Sequence, residues 1–278
     1  MRRNNEDRLL KGHTPTPTEE APKMGNPMDF VTPTQFVELP SKGRYPEGHA
    51  LHNKESIEIK YMTAKDEDIL TNRSLLKKGL AIDRLINNVI KDSGVDSRSL
   101  LIGDRNAILI YARASAYGED YNTKVKCPNC ETVSKFTFDL QDHEVFHGDS
   151  WADIDLSDNS DGTFSLTLPV SNIVTRIRPM VVMDEIQLAS KENSKKSEKE
   201  MVTQQIKKFV VSFNGYDDAP TINYVVNNMI AKESLLLRDA FKSISPDIVL
   251  EQTFTCKNCD HEEVMAVPFG TDFFWPNS

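Results

Sequence analysis

Features that would identify a membrane protein or a nucleic-acid-binding protein are missing from this sequence. No stretch reaches the about 18 to 20 consecutive apolar residues of a membrane helix, and the start, MRRNNEDRLL, lacks the apolar core of a signal peptide. Lysine and arginine number 33 against 42 acidic residues, so the formal net charge is −9. Nucleic-acid grooves need a surplus of cations, which this chain lacks. We therefore expect a protein made in a reducing cytoplasm, without a membrane span and without nucleic acid as its main partner.

Sequence motifs of common enzymes are missing as well. The chain contains no GxxxxGK[ST], GxGxxG, GxSxG or HExxH. The three acids at 66–68 follow Thr63 at the start of a predicted helix, where acids balance the helix dipole, and we interpret them as helix-start residues rather than a catalytic cluster. His143 and His147 are interpreted as a polar loop feature. We predict that the protein is not an enzyme and takes no small-molecule substrate.

Cysteine is scarce, and all four cysteines lie in two CxxC pairs. VKCPNCE contains Cys127 and Cys130, FTCKNCD contains Cys256 and Cys259, and 125 residues separate the pairs. In a reducing compartment such pairs are more often metal ligands than disulfides. Four thiolates complete the tetrahedral shell of zinc, without an open position for catalysis. We predict one structural zinc ion; a redox pair and an iron–sulfur cluster are the competing interpretations.

Hydrophobic periodicity predicts an α+β fold with two helix-rich lobes and short strands. Alternation in SIEIKYM, FSLTLPV and IVTRIRP indicates strands with one buried face. Another short strand pair is expected to follow the first CxxC pair. Apolar residues at helical spacing predict helices over 82–90, 103–118, 201–215, 222–230 and 236–244.

Composition divides the chain into three regions. Residues 1–28 are polar, with the run TPTP, and we expect a disordered tail that serves as a spacer or as a docking peptide. Residues 29–150 form a first lobe with the first CxxC pair. Residues 151–278 form a second lobe with the second pair and an aromatic C-terminal tail. The charged segment at 190–200 is expected to be a solvated loop or an exposed helix.

The two lobes echo each other in sequence. A Leu-Pro pair lies at residues 39–40 and again at 168–169, and each precedes the first cysteine of a CxxC pair by 88 positions, from 39 to 127 and from 168 to 256. Asp104 and Glu233 each lie 23 positions before that cysteine, in the helix that precedes the pair. An ancient duplication explains the match, and coincidence is the alternative. Under duplication each lobe carries half of a split four-cysteine zinc ribbon.

A family resemblance is carried by ELPSKGRYP, by EIKYMTAKDEDILTNRSLLKKGLAIDRLINNVI, and by LLIGDRNAILIYARASAYGEDY followed by CPNC. Together these stretches resemble the baseplate hub proteins of T-even-type contractile-tailed phages. The resemblance covers residues 36–140 well and extends more loosely to the second CxxC pair. It implies a structural or tail-assembly protein, located in the virion tail and in the host cytoplasm during assembly. It implies other baseplate, hub, wedge or tape-measure proteins as partners, and it carries over no catalytic residue.

Extended chain after residue 30 and aromatics near the C-terminus are the candidate partner-binding regions. Each either anchors a neighbouring protein or covers this chain's own core. Three functions stay open: a built-in hub component, a tail-assembly chaperone that leaves the particle, and a zinc-ribbon accessory factor that binds nucleic acid. Acidic residues around both CxxC pairs oppose the third. The candidate partner-binding residues are Phe36, Leu39, Tyr45, Phe273, Phe274 and Trp275.

Overall fold

The computed structural model describes residues 32–151, 154–192, 201–267 and 271–274. The predicted tail at 1–28, residues 193–200 of the charged segment and Trp275 lie outside the described residues. The described part of the chain combines helices with short antiparallel strands, which confirms the predicted α+β class.

The first half consists of a hairpin, a run of helices and a second hairpin that carries the first CxxC pair in its turn. β1 pairs with β2, and β3 pairs with β4, both antiparallel. A short 3-10 turn at Ser97–Ser99 precedes the last helix. The elements are β1 (Thr34–Glu38), β2 (Ser56–Lys60), α1 (Ala64–Thr71), α2 (Arg73–Lys77), α3 (Ala81–Val89), α4 (Ile102–Tyr117), β3 (Asp120–Lys126) and β4 (Val133–Asp139).

The second half contains a four-stranded antiparallel sheet in the order β6-β7-β8-β9 and the hairpin β11-β12, whose turn carries the second CxxC pair. A 3-10 turn at Thr271–Phe274 follows. The elements are β5 (Glu144–Phe146), β6 (Leu156–Asp158), β7 (Phe164–Thr167), β8 (Val174–Ile177), α5 (Val182–Glu192), α6 (Met201–Phe209), β9 (Val210–Phe213), α7 (Ala219–Asn228), α8 (Ala231–Ile244), β10 (Asp247–Val249), β11 (Glu251–Thr255) and β12 (Glu262–Ala266).

The prediction of one helix over 201–215 is wrong beyond residue 209. α6 ends at Phe209, and the next residues form strand β9, in which Val210 pairs with Ile177 of β8. Apolar residues at 209, 210 and 213 fit a helical spacing, but the β-branched pair Val210-Val211 also favours a strand. Pairing with β8, which is distant in sequence, favours the strand over the helix.

Two hydrophobic cores lie within the described residues. The first contains side chains of β1, β2, α3, α4, β3 and β4, together with residues of β10, β11 and the turn that ends at Phe274. The second contains side chains of β7, β8, α6, β9 and α8. The second CxxC hairpin therefore packs in the same core as the first. The division into lobes between residues 150 and 151 stays a prediction.

The two halves repeat one arrangement of backbone contacts. A hairpin encloses a Leu-Pro turn in each half: the first Leu-Pro turn, residues 39–43, joins β1 to the loop before β2, and the second, residues 168–172, joins β7 to β8. The N–H of the leucine closes each turn, from Leu39 to Glu55 at 2.8 Å and from Leu168 to Ile173 at 2.9 Å.

The third residue of the last α-helix before each CxxC hairpin is an acid, and its carboxylate anchors the Leu-Pro turn of the same half. Asp104 of α4 accepts from the N–H and hydroxyl of Ser41 at 2.9 and 2.6 Å. Glu233 of α8 accepts from the N–H groups of Val170 and Ser171 at 3.0 and 2.7 Å. The residues that the equal spacing places in correspondence thus make the same contact in both halves.

Candidate metal centre

Both CxxC pairs lie in turns of the same shape, between the strands of a hairpin. The backbone N–H four residues after the first cysteine donates to that cysteine's carbonyl, from Glu131 to Cys127 at 2.9 Å and from Asp260 to Cys256 at 3.0 Å. Glu131 and Asp260 both lie in the left-handed region, with φ of 58° and 53°. That conformation turns the chain sharply, and it directs both sulfurs of each pair to one side.

The four sulfurs come together across the two hairpins. All four Sγ atoms lie within 4.8 Å of one another. Sγ of Cys127 lies 3.8 Å from Sγ of Cys259, and Sγ of Cys130 lies 3.6 Å from Sγ of Cys256, so none is disulfide-bonded. A tetrahedral ion with Zn–S bonds of about 2.3 Å requires sulfurs about 3.8 Å apart. The residues therefore fit a zinc ion with two ligands from each hairpin.

Each pair also supplies an asparagine that reaches the opposite pair. Nδ2 of Asn129 lies 3.6 Å from Sγ of Cys259, and Nδ2 of Asn258 lies 3.6 Å from Sγ of Cys130. Such N–H donors stabilise thiolates and orient them for a metal. The shared pattern CxNC is the sequence signal for this role, and the Sequence analysis does not use it.

The thiols do not ionise independently in this arrangement. Hydrogen bonds from Thr132 and Asn258 lower the pKa of Cys130 to about 5. At Cys259 a backbone hydrogen bond from His261 acts in the same direction, but burial and the neighbouring sulfurs outweigh it and raise the pKa of Cys259 to about 11. Several thiolates in one cluster repel each other, and a divalent cation at the centre would remove this repulsion.

An aromatic layer supports the cluster from inside the first core. Cys127 and Cys256 are buried, and the rings of Phe136 and Phe254 meet edge to face with centroids 5.5 Å apart. The two hairpins are also joined by Gln252, whose Oε1 accepts from a backbone N–H of β4 at 3.0 Å. The metal ligands thus lie on strands that side-chain packing already holds together.

The other predicted residues lie apart from this cluster. Phe36 is 71% exposed on the outer face of β1. His261, beside the second pair, faces Glu263 at 3.5 Å rather than the sulfurs. His143 and His147 each contact a separate backbone carbonyl, of Leu140 and Pro40.

Four of the six candidate partner-binding residues are buried within this chain. They belong to the first core, and the Tyr45 hydroxyl donates to Asp104 Oδ2 at 2.6 Å. The carbonyl of Phe273 accepts from Nε of Arg113 at 3.1 Å. Contact of any of the six with a partner stays a prediction. The four buried residues are Leu39, Tyr45, Phe273 and Phe274.

These features define an α+β protein whose four-cysteine ribbon is split between two hairpins distant in sequence. A family model described as T4 bacteriophage base plate protein matches residues 32–275, and the chain belongs to this family. Membership supports a structural role in a phage baseplate, association with other tail proteins and a place in the tail baseplate of the virion. No curated protein and no solved structure matches the chain significantly. Among the described residues, no helix is long and apolar enough to cross a membrane.

Proposed function

We propose that the chain is a built-in component of the baseplate hub, that it binds other tail proteins there, and that its four cysteines hold one structural zinc ion. The four-sulfur cluster carries the zinc assignment, because its spacing matches a closed tetrahedral shell. Family membership carries the baseplate role. A closed shell offers no site for a substrate, so the ion would serve the fold and not a reaction.

The ion would connect parts of the chain that are far apart in sequence. Cys127 and Cys256 both pack in the first core. In the sequence, the buried residues of the second core all lie between the two hairpins that carry these cysteines. Closing so long a loop stabilises the folded state, and metal binding adds its own free energy to folding.

The repeated contacts support a second proposal, that both halves descend from one duplicated unit. The Leu-Pro turn, the anchoring carboxylate and the CxxC turn recur in the same order and with equal spacing. Under this proposal the ancestral unit carried one CxxC hairpin, and two such units completed a shell together.

Quantitative mass spectrometry of purified tails tests the built-in role. We expect this chain at a small integer ratio to a known tail protein, with one zinc per chain by elemental analysis. Presence in infected cells but absence from tails would support the assembly chaperone instead. A mobility shift with nucleic acid at low salt that falls steeply as salt rises would support the accessory factor.

A further inference from the structure

Strand β1 uses only one of its two edges within the described part of the chain. The N–H of Leu39 donates to Glu55 at 2.8 Å beyond one end of the β1–β2 pair, and the carbonyl of Pro33 accepts from Tyr61 at 2.9 Å beyond the other. In an antiparallel pair, successive residues direct their N–H and carbonyl groups alternately toward the partner strand and away from it. The residues of β1 that direct both groups away from β2 are therefore Thr34, Phe36 and Glu38.

These outward N–H and carbonyl groups have no partner among the described residues, whereas the opposite edge of the sheet is occupied. On β2, the carbonyl of Glu58 accepts from the N–H of Lys91 at 3.1 Å, and Ile59 forms a bridge to Ile90. The three outward residues of β1 are exposed, and Phe36 at their centre is 71% exposed. Proteins commonly protect such edges with lysine, proline or bulges, because an open edge can pair with another strand. β1 carries an aromatic residue at that place instead.

The open edge of β1 is complementary to itself. A twofold axis through Phe36, perpendicular to the sheet, sets β1 antiparallel to β1 of a second copy. Phe36 then faces Phe36 of the second copy, and Thr34 faces Glu38 of the second copy. Every outward N–H meets an outward carbonyl, and none is left over at either end. The exposed phenylalanine rings come together as a cross-strand pair.

Two charged residues that form no ion pair with a described residue meet across this axis. Glu38 and Lys60 are both exposed. Within one chain they lie at opposite ends of the β1–β2 pair, because Lys60 faces Thr34 and Glu38 faces Ser56. In the joined sheet, Lys60, Thr34 and Glu38 of the second copy occupy one row, and the first and last backbones of that row are about 10 Å apart. Extended lysine and glutamate side chains together span that distance, so the twofold pairing forms an ion pair on each side of the axis.

We propose that the open edge of β1 binds β1 of a second copy, antiparallel about a twofold axis at Phe36, so that the β1–β2 sheets of two chains become one sheet. The self-matching hydrogen-bond pattern and the charges of Glu38 and Lys60 favour a second copy over an unrelated strand. This inference goes beyond the proposed function and does not depend on it, because the association takes place in the isolated protein.

Charge exchange tests the twofold pairing in the purified full-length chain, which should sediment as a dimer. Glu38→Lys and Lys60→Glu each place like charges in one row on both sides of the axis, so each should raise the dissociation constant of the dimer at least about tenfold in sedimentation equilibrium. The double variant restores opposite charges and should dissociate within about threefold of wild type, a recovery that an unrelated partner strand would not show. A wild type that stays monomeric up to about 0.1 mM, single variants that dissociate like wild type, or a double variant without recovery would each overturn the proposal.

Proline substitution tests the open edge while leaving the β1–β2 hydrogen bonds in place. Phe36→Pro removes an N–H that points away from β2, and proline is tolerated at such positions of edge strands. We expect this variant to be monomeric and to keep a cooperative thermal transition. Val264→Pro is the matched control, because Val264 is 61% exposed at the centre of β12 and its N–H is directed away from β11. The control should form dimers like wild type. A dimeric Phe36→Pro, or a control that is equally monomeric, would contradict the pairing.

Photo-crosslinking locates the contact. With p-benzoylphenylalanine in place of Phe36, irradiation of the purified chain should give a covalent dimer whose linked peptide contains residues 34–38 of the second copy, and the same group at Val264 should give none. A link to residues 1–31 of the same chain, a link elsewhere in a second copy, or no adduct would overturn the inference. A chain that is dimeric through β1 but absent from purified tails would contradict the proposed function alone, so the two failures are distinct.

Discussion

The first and second Leu-Pro turns are anchored alike and surrounded differently. Asp104 and Glu233 occupy the same place in their helices, and both accept backbone N–H groups of the turn that they face. In the first half residues 144–148, which include β5 and which we call the strap, cover the turn through His147, and Tyr45 covers Asp104. In the second half the turn itself is exposed. The comparison teaches that the same contact, made by a buried acid in both halves, can hold a covered turn or an exposed one.

The pKa of Asp104 is raised and the pKa of Glu233 is lowered, because burial and hydrogen bonds balance differently at the two acids. Burial dominates at Asp104 and raises its pKa, although hydrogen bonds from Ser41 and Tyr45 oppose it. Burial also acts on Glu233, but hydrogen bonds from Ser171 and Val170 outweigh it and lower its pKa. Desolvation therefore outweighs hydrogen bonding at Asp104, and hydrogen bonding outweighs desolvation at Glu233, whose hydrogen-bond donors lie on an exposed turn.

The largest loss of stability is expected at the metal centre, to which each half supplies two cysteines. Cys127→Ser and Cys256→Ser each remove one of four ligands, and we expect both variants to lose zinc and about 3 kcal/mol or more of unfolding free energy. Because each half supplies two ligands, the two losses should be equal within error. Elemental analysis and thermal unfolding measure them. Full metal content with an unchanged melting temperature in either variant would contradict the split ribbon.

Removal of each anchoring acid should lower the free energy of unfolding by clearly different amounts. Asp104→Ala leaves three buried donor contacts without an acceptor, two from Ser41 and one from Tyr45, and should cost about 3 kcal/mol. Glu233 is itself only 3% exposed, but Val170 and Ser171, whose N–H groups it accepts, are exposed. Water can therefore reach these N–H groups in Glu233→Ala, which should cost about 1 kcal/mol. Urea denaturation of both variants gives the comparison. Equal losses would mean that the strap does not isolate the first turn from solvent.

The metal cluster could be predicted from the sequence because CxxC is a local pattern. Two sulfurs in one turn need no knowledge of the rest of the fold, and no other cysteine competes for Cys127, Cys130, Cys256 or Cys259. The correspondence of Asp104 with Glu233 was also visible, since equal spacing preserves register. What the spacing does not encode is that each acid reaches back to a Leu-Pro turn, a contact across about 60 residues.

Long-range packing explains where the structure differs from the sequence predictions or goes beyond them. The strand after Phe209 depends on an edge of β8 far away in sequence, which periodicity does not report. From the sequence, the stretch with Leu39 and Tyr45 either anchors a neighbouring protein or covers this chain's own core. In the structure both residues are buried in the first core, and Tyr45 contacts α4 through Asp104. The sequence also does not show that the second CxxC hairpin packs in the first core, because this packing depends on contacts between residues far apart in the chain.

A close approach between the halves gives a smaller and more local test. A Cβ on Gly103 would lie 2.1 Å from the carbonyl of Pro246, so Gly103→Ala should cost about 2 kcal/mol despite the gain in helix propensity. The equivalent position in α8 is the exposed Lys232, where Lys232→Ala should change stability by less than about 0.5 kcal/mol. Chemical denaturation measures both. A neutral Gly103→Ala would show that α4 and the segment after α8 are not in close contact.

The pH dependence of stability provides the finest comparison, because the two anchors should respond with opposite signs. Glu233, whose pKa lies below its ordinary value of 4.5, contributes stability that is complete above that value and is lost as pH falls. Asp104, whose pKa lies above its ordinary value of 3.8, contributes most below that value and loses its contribution as pH rises through the folded pKa. On acidification from about pH 6 to about pH 4, the stability of wild type relative to Glu233→Gln should fall, and that relative to Asp104→Asn should rise. Slopes of the same sign would mean that cover by the strap does not set the ionisation of Asp104.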